Sequence, residues 1–138
     1  MNYLLDTNAV IALLKDQPAG VRPRLRRAMA RGASVAVSSI VLYELWYGVA
    51  RSGRRAENAE RLRVFMSGDI EILSFDAEDA AAAGDLRGTL EAAGTPIGPY
   101  DTLIAAQALR SGATLVTANE SEFARVPDLA WQDWSAAS

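Results

Sequence analysis

The chemistry open to this chain comes from carboxylates, hydroxyls, amides and arginines, because its 138 residues include no histidine and no cysteine. Imidazole bases, Ser-His-Asp triads, disulfides and thiolate metal sites are thereby excluded, and with them nearly all zinc chemistry. Asp6 ends the apolar run Tyr3-Leu4-Leu5, and a helical pattern of Ala9, Val10, Ala12, Leu13 and Leu14 follows at once. A buried parallel strand looks like this when it delivers a carboxylate to its carboxyl end and turns into a helix. Ligands of open α/β sheets bind outside those ends. Capping the following helix fits Asp6 equally well, and Thr7 and Asn8 are also of the types that satisfy amides at a helix start.

Glu44 lies on the apolar stripe Ile40, Val41, Leu45 and Gly48 of a second helical pattern. An acid on a packed face is costly unless it pairs or meets a cation. The plainer alternative is a carboxylate at the stripe's edge that snorkels to water or meets an arginine. Asp101 falls in the first turn of a helix opened by Pro99, where it could also simply complement the helix dipole. Asn119 lies just past the apolar run that ends at Thr117, as Asp6 does past the first, and Glu122 lies one helical turn on. An Asn cap with Glu122 at the third position is the local reading there.

Taken together, these positions say more than each does alone. Three acids and an amide converge, by topology, on the carboxyl edge of one sheet. Like charges held close raise each other's pKa, so such a cluster calls for something positive inside it. All-oxygen donors select hard ions, Mg²⁺ or Mn²⁺, which keep several waters and bind substrate phosphates. That is equipment for activating a water against a phosphodiester.

The elements that must position these residues follow from periodicity. Helices are expected over about 19–31, with Val21, Leu25, Ala28 and Met29 inward, over 40–51 capped by Ser38 or Ser39, and over 55–66, burying Ala59, Leu62, Phe65 and Met66. Two more follow, one begun by Asp76 and Asp79 that buries Ala83, Leu86, Leu90 and Ala93, and one over about 100–110. Strands are expected at 3–5, 35–37, 70–73 and 114–117, with a last short one near 129–131. Strands alternating with helices predict an α/β fold: a mostly parallel central sheet of four to five strands, helices on both faces, in one domain over residues 1–138.

Half the residues are hydrophobic and 22% are charged, as in an ordinary globular protein. No apolar run reaches bilayer length and no basic leader opens the chain, so a cytoplasmic protein without a membrane anchor is expected. The net charge of −3 hides an asymmetry: residues 15–63 hold eleven basic and four acidic side chains, residues 64–138 three basic and twelve acidic. A basic stretch beside an acidic centre suits a polyanion, although a solvated helix face would have the same composition.

Four ordered segments carry a family resemblance. They are Leu4-Leu5-Asp6-Thr7-Asn8, Ser38-Ser39-Ile40-Val41-Leu42-Tyr43-Glu44-Leu45 with Gly48, Ile97-Gly98-Pro99-Tyr100-Asp101-Thr102-Leu103-Ile104-Ala105-Ala106, and Thr117-Ala118-Asn119 followed by Glu122-Phe123. In order, spacing and length the chain resembles the PIN-domain family, most of all the VapC-type toxins of bacterial toxin–antitoxin pairs. The resemblance implies an endoribonuclease dependent on Mg²⁺ or Mn²⁺, with Asp6, Glu44 and Asp101 as the metal-binding core and Thr7 and Thr117 assisting. Many PIN domains have a fourth acid at the position of Asn119, so the amide weakens any second metal site, and Glu122 is the residue that could compensate. A homodimer and a cognate antitoxin are implied as well. The antitoxin's tail would cross the site with apolar anchors and a basic side chain aimed at the acids. Trp46 and Tyr47 could line its groove or pack in a core, and Trp131 and Trp134 read as packing residues.

Other classes compete. A phosphorelay receiver needs a lysine near its aspartate, but Lys15, the only lysine, lies at the first helix's end. A haloacid-dehalogenase-type phosphatase needs an aspartate where Asn8 stands. A non-catalytic PIN-like module that binds RNA or protein would not need its three acids.

Overall fold

The strand that ends at Asp6 is the middle of the sheet. In the computed structural model, which describes residues 2–135, β1 (Asn2–Leu5) lies between β2 (Ser34–Ser38) and β4 (Thr114–Val116). Outside these run β3 (Glu71–Leu73) and β5 (Trp131–Gln132), giving the order β3-β2-β1-β4-β5 with every pairing parallel. Leu4 and Leu5 are fully buried because both faces of a central parallel strand are covered. Leu5 aligns with Val37 on one side and Val116 on the other. The ladder runs one bond further, from the Asp6 amide to the Val116 carbonyl at 3.1 Å.

The covering helices are α1 (Thr7–Lys15), α2 (Val21–Ala30), α3 (Ser39–Ala50), α4 (Arg55–Met66), α5 (Ala77–Ala92), α6 (Pro99–Ser111) and the short α7 (Glu120–Phe123). From β1 the chain steps outward to β2 and β3, then crosses back to β4 and β5. Right-handed crossovers therefore place α1–α4 on one face and α5–α7 on the other. The direction of winding reverses between β1 and β4, and at such a switch point an open sheet leaves a crevice at its carboxyl edge. Asp6 and Thr117 flank that crevice.

Local chemistry explains the helix ends. Asp6 caps α1, its Oδ1 accepting from the Ala9 amide at 2.8 Å, so neither Thr7 nor Asn8 takes that role. Ser38, of the two candidate serines, caps α3 through the Ile40 amide. Asp76 and Asp79 close a reciprocal capping box on α5. Arg110 at the far end of α6 pairs with Asp79 at 2.6 Å, while Gln107 donates to the Leu73 and Ser74 carbonyls. This clasp ties α6 to the β3–α5 turn and so fixes the helix that begins beside Asp101.

The core is mostly the expected one: Val10, Leu13, Val35, Val37, Val41, Leu62, Ile104, Ala105, Leu115 and Phe123 are buried. Trp134 is buried edge-on against Tyr3, ring centroids 5.1 Å apart, and Trp131 packs on the core's rim. Some expectations fail at the margins. Ala93 is exposed because it follows α5's last turn, Ile70 precedes β3 rather than joining it, and Ala59, Phe65 and Met66 are only half-buried. Among the described residues no helix is long and apolar enough to cross a membrane.

Candidate functional site

Three connections bring the four sequence segments to the crevice. Strand β1 hands over Asp6, which is only 5% exposed. Burial pushes its carboxyl pKa up; the adjacent Thr117 hydroxyl and the Ala9 amide oppose this, and the charges of Glu44 and Asp133 add to it. The next residue reaches across to α3: the Thr7 hydroxyl donates to Glu44 Oε1 at 2.8 Å. Glu44 is thus half-buried at the site, on the inner side of its helix, and an arginine partner is not what holds it.

The third connection is at the start of α6. Gly98 is extended and Pro99 takes the first helical position, so Asp101 sits in the first turn. Burial raises its pKa most; the hydrogen bond and charge of Glu122 follow, then the charges of Asp6 and Glu44, and together they push it up to about 7. Glu122 is held below its ordinary value, mainly by that hydrogen bond with Asp101; burial opposes, while the Gly98 amide and the Asn119 amide group also lower it. Of the two carboxyls, Asp101 is the one pushed up and Glu122 the one pushed down.

Asn119 precedes α7 but does not cap it with its side chain. Its Nδ2 donates instead to Asp101 Oδ2 at 3.4 Å and to Glu122 Oε2 at 3.2 Å, while its backbone amide donates to the Thr117 hydroxyl at 2.9 Å. With Nδ2 turned to these two oxygens, Oδ1 accepts from the Ser121 hydroxyl at 3.2 Å instead of from an α7 backbone amide, so the expected cap is not made. Thr117 lies one residue past β4, buried between Asp6 and Asn119.

All seven singled-out residues, Asp6, Thr7, Glu44, Asp101, Thr117, Asn119 and Glu122, therefore meet in one place. The side chains are not closed into a cage: among the described residues no three acids stand in a ready ligand set. Asp133 is an acid that the sequence expectations leave out. It follows β5 as Asp6 follows β1, and its charge reaches Asp6.

Neither Trp46 nor Tyr47 is among the residues lining the groove that opens beside Glu44. Trp46 packs on the core under the Arg63 guanidinium, and Tyr47 is exposed beneath Arg51. A groove of about 270 Å³ does open beside Glu44, between Ile11 and Leu14 of α1, Leu45 and Val49 of α3 and Leu62 of α4.

A sheet of this order with acids gathered at its switch point defines a class, and residues 3–129 match the model of the PIN domain. The chain belongs to the PIN-domain family. Within it, the chain is 40% identical to Ribonuclease VapC2 of Rickettsia felis, over 97% of this chain and 98% of that protein. It is 37% identical to the tRNA(fMet)-specific endonuclease VapC of Shigella flexneri, over 98% and 99%. Among solved structures, VapBC2 from Rickettsia felis bound to a DNA fragment from its promoter superposes with a TM-score of 0.90 at 40% identity, covering 97% of this chain and 99% of that one.

Proposed function

We propose that this chain is a divalent-cation-dependent endoribonuclease, the toxin of a toxin–antitoxin pair, with Asp6, Glu44 and Asp101 as its catalytic acids. The observation that carries the reading is the gathering of Asp6, Glu44, Asp101 and Glu122 at the switch point, held there by Thr7, Thr117 and Asn119. The ribonuclease names of the relatives support RNA as the substrate, and initiator transfer RNA is the first to test given the name of the Shigella relative.

The donor set fits Mg²⁺ or Mn²⁺. It is all oxygen, and its open arrangement suits an ion usually held by one or two carboxylates with waters and substrate phosphates completing the shell. Asp6, Glu44 and Asp101 would hold the ion, with Asn119 and Glu122 at its edge. When bound, it supplies Lewis acidity that lowers the pKa of a water and neutralises charge developing on phosphorus. The chain's own residues do the positioning. Asp6 is fixed by the Ala9 amide and the Thr117 hydroxyl, Glu44 by Thr7, and Asp101 by Asn119 and Glu122. The arginines between residues 22 and 63 would guide the RNA backbone without reading bases.

The groove beside Glu44 suits an antitoxin tail with apolar anchors: its walls are mostly apolar, with Lys15 and Arg61 also lining it, and Glu44 is the one acid there to receive a basic side chain. The VapBC2 neighbour supports such a partner. A homodimer, a single domain over the whole chain and a cytoplasmic place of action belong to the same proposal. The test is cleavage of total RNA and of initiator transfer RNA with Mg²⁺ or Mn²⁺, and again in excess chelator. Cleavage that stops with chelator and with Asp101→Asn is expected. Cleavage that persists in chelator would remove the metal role, and RNA binding without any cleavage would make this a non-catalytic PIN-like binding module.

A further inference from the structure

Two exposed tyrosines stand at the mouth of the acid site, each immediately before one of its carboxylates. Tyr43 precedes Glu44 on α3, and Tyr100 precedes Asp101 in the first turn of α6; they are 56% and 42% exposed. Their ring centroids are 5.7 Å apart at a tilt of 45°, and their hydroxyls are 3.5 Å apart. Their contact bridges α3 and α6 at the residues next to Glu44 and Asp101.

We infer that Tyr43 and Tyr100 form a stacking platform for an unpaired base of the RNA strand next to the phosphate to be cut. The inference rests on the nuclease reading and deepens it by naming a substrate feature: a single-stranded or looped segment whose base can leave its neighbours. Three considerations favour a base as the occupant. The rings are open to solvent, whereas the other large aromatics near the sheet, Trp134 and Phe123, are buried in the core. A phosphate chain approaching several carboxylates is repelled, and stacking supplies an attraction that does not depend on charge. RNA is commonly read by splaying bases onto aromatic rings. The apolar groove that would seat a peptide runs from Glu44 along α1, α3 and α4, and neither tyrosine lines it.

The test uses a single-stranded oligoribonucleotide spanning the mapped cut, together with copies carrying an abasic nucleotide on one side of it or the other. Wild type, Tyr43→Ala, Tyr100→Ala, Tyr43→Phe and Tyr100→Phe are compared for KM and kcat, with thermal melting as the folding control. Each Ala variant is expected to raise KM about tenfold, equivalent to about 1.4 kcal/mol, with kcat within about twofold, and the Phe variants to match wild type. One abasic position should raise KM similarly in wild type and have little further effect in the Ala variants. Wild-type KM in both Ala variants, or an undiminished abasic penalty in them, would overturn the proposal. So would Ala variants that cleave normally yet escape the antitoxin, since the pair would then be a peptide seat. If wild type cuts nothing, the affinity for a mixed-sequence single-stranded oligoribonucleotide, read by fluorescence anisotropy for wild type and the Tyr variants, decides the matter. A tenfold weakening by Tyr→Ala with no cleavage would leave the platform standing and the nuclease reading fallen.

Discussion

Replacing Asp101 by Asn should make the protein more stable while removing its cleavage activity, and the gain should depend on pH. Asp101 loses its proton at about 7 in the fold against 3.8 for the ordinary carboxyl. Between those values the folded chain binds more protons than the unfolded one, so stability falls as pH rises through that window, and above about pH 7 the whole penalty is present. A difference of about three pKa units corresponds to about 4 kcal/mol. Asp101 is only half-buried, and solvent screening reduces this to about 2 kcal/mol. Asn imitates the protonated carboxyl and can still donate to Glu122. Denaturant unfolding in chelator should therefore show Asp101→Asn about 2 kcal/mol more stable than wild type at pH 8, or roughly 5–10 °C higher in Tm. At pH 5 the gap should shrink to under about 1 kcal/mol. A variant that is destabilised, or whose advantage is the same at both pH values, would refute the view of Asp101 as a carboxylate crowded by its neighbours.

The other predictions use the same site. Asp6→Asn keeps a good helix cap and removes a buried, crowded charge, so melting should stay level or rise, while RNA cleavage should drop by a hundredfold or more; unchanged cleavage would remove Asp6 from the chemistry. Thr7→Val breaks the bond to Glu44 and should lower stability by about 1 kcal/mol. Its kcat should fall several-fold with KM little changed, as single-turnover kinetics on a defined oligonucleotide would show. Added Mg²⁺ or Mn²⁺ should raise the wild-type Tm at pH 8 more than at pH 5, where the Asp101 proton competes with the cation, and should do less for Asp101→Asn. Equal stabilisation of both proteins at both pH values would place the ion elsewhere.

How much of this could be read from the chain depends on the range of each interaction. Strand β1 is legible because Leu4 and Leu5 are apolar on both faces and Asp6 ends the run, which is what a central parallel strand requires. The placing of Asp6 and Thr117 follows from topology alone, and Asp6 proves to be both cap and site residue. Glu44 is legible as an acid on an apolar stripe, but its contact with Thr7 spans 37 residues and has no local signature. Asn119 looks like a cap because capping is local; its contact with Glu122 is local too, whereas the Asp101 carboxylate it also holds arrives from α6, 18 residues away. Asp133 stays hidden because the last strand, expected near 129–131, runs over Trp131–Gln132, so the acid at its carboxyl end lies one residue beyond the expected position. Tyr43 and Tyr100 are hidden for another reason: aromatic residues usually signal a core, and only packing decides that these two are left out of it.

The most direct measurement is the anomalous diffraction of crystals soaked in Mn²⁺ at pH 8. The account predicts a peak in the crevice between β1 and β4, within about 2.0–2.6 Å of carboxylate oxygens from Asp6 and at least one of Glu44 and Asp101. Manganese bound only elsewhere on the molecule, with the three acids left to water, would contradict it.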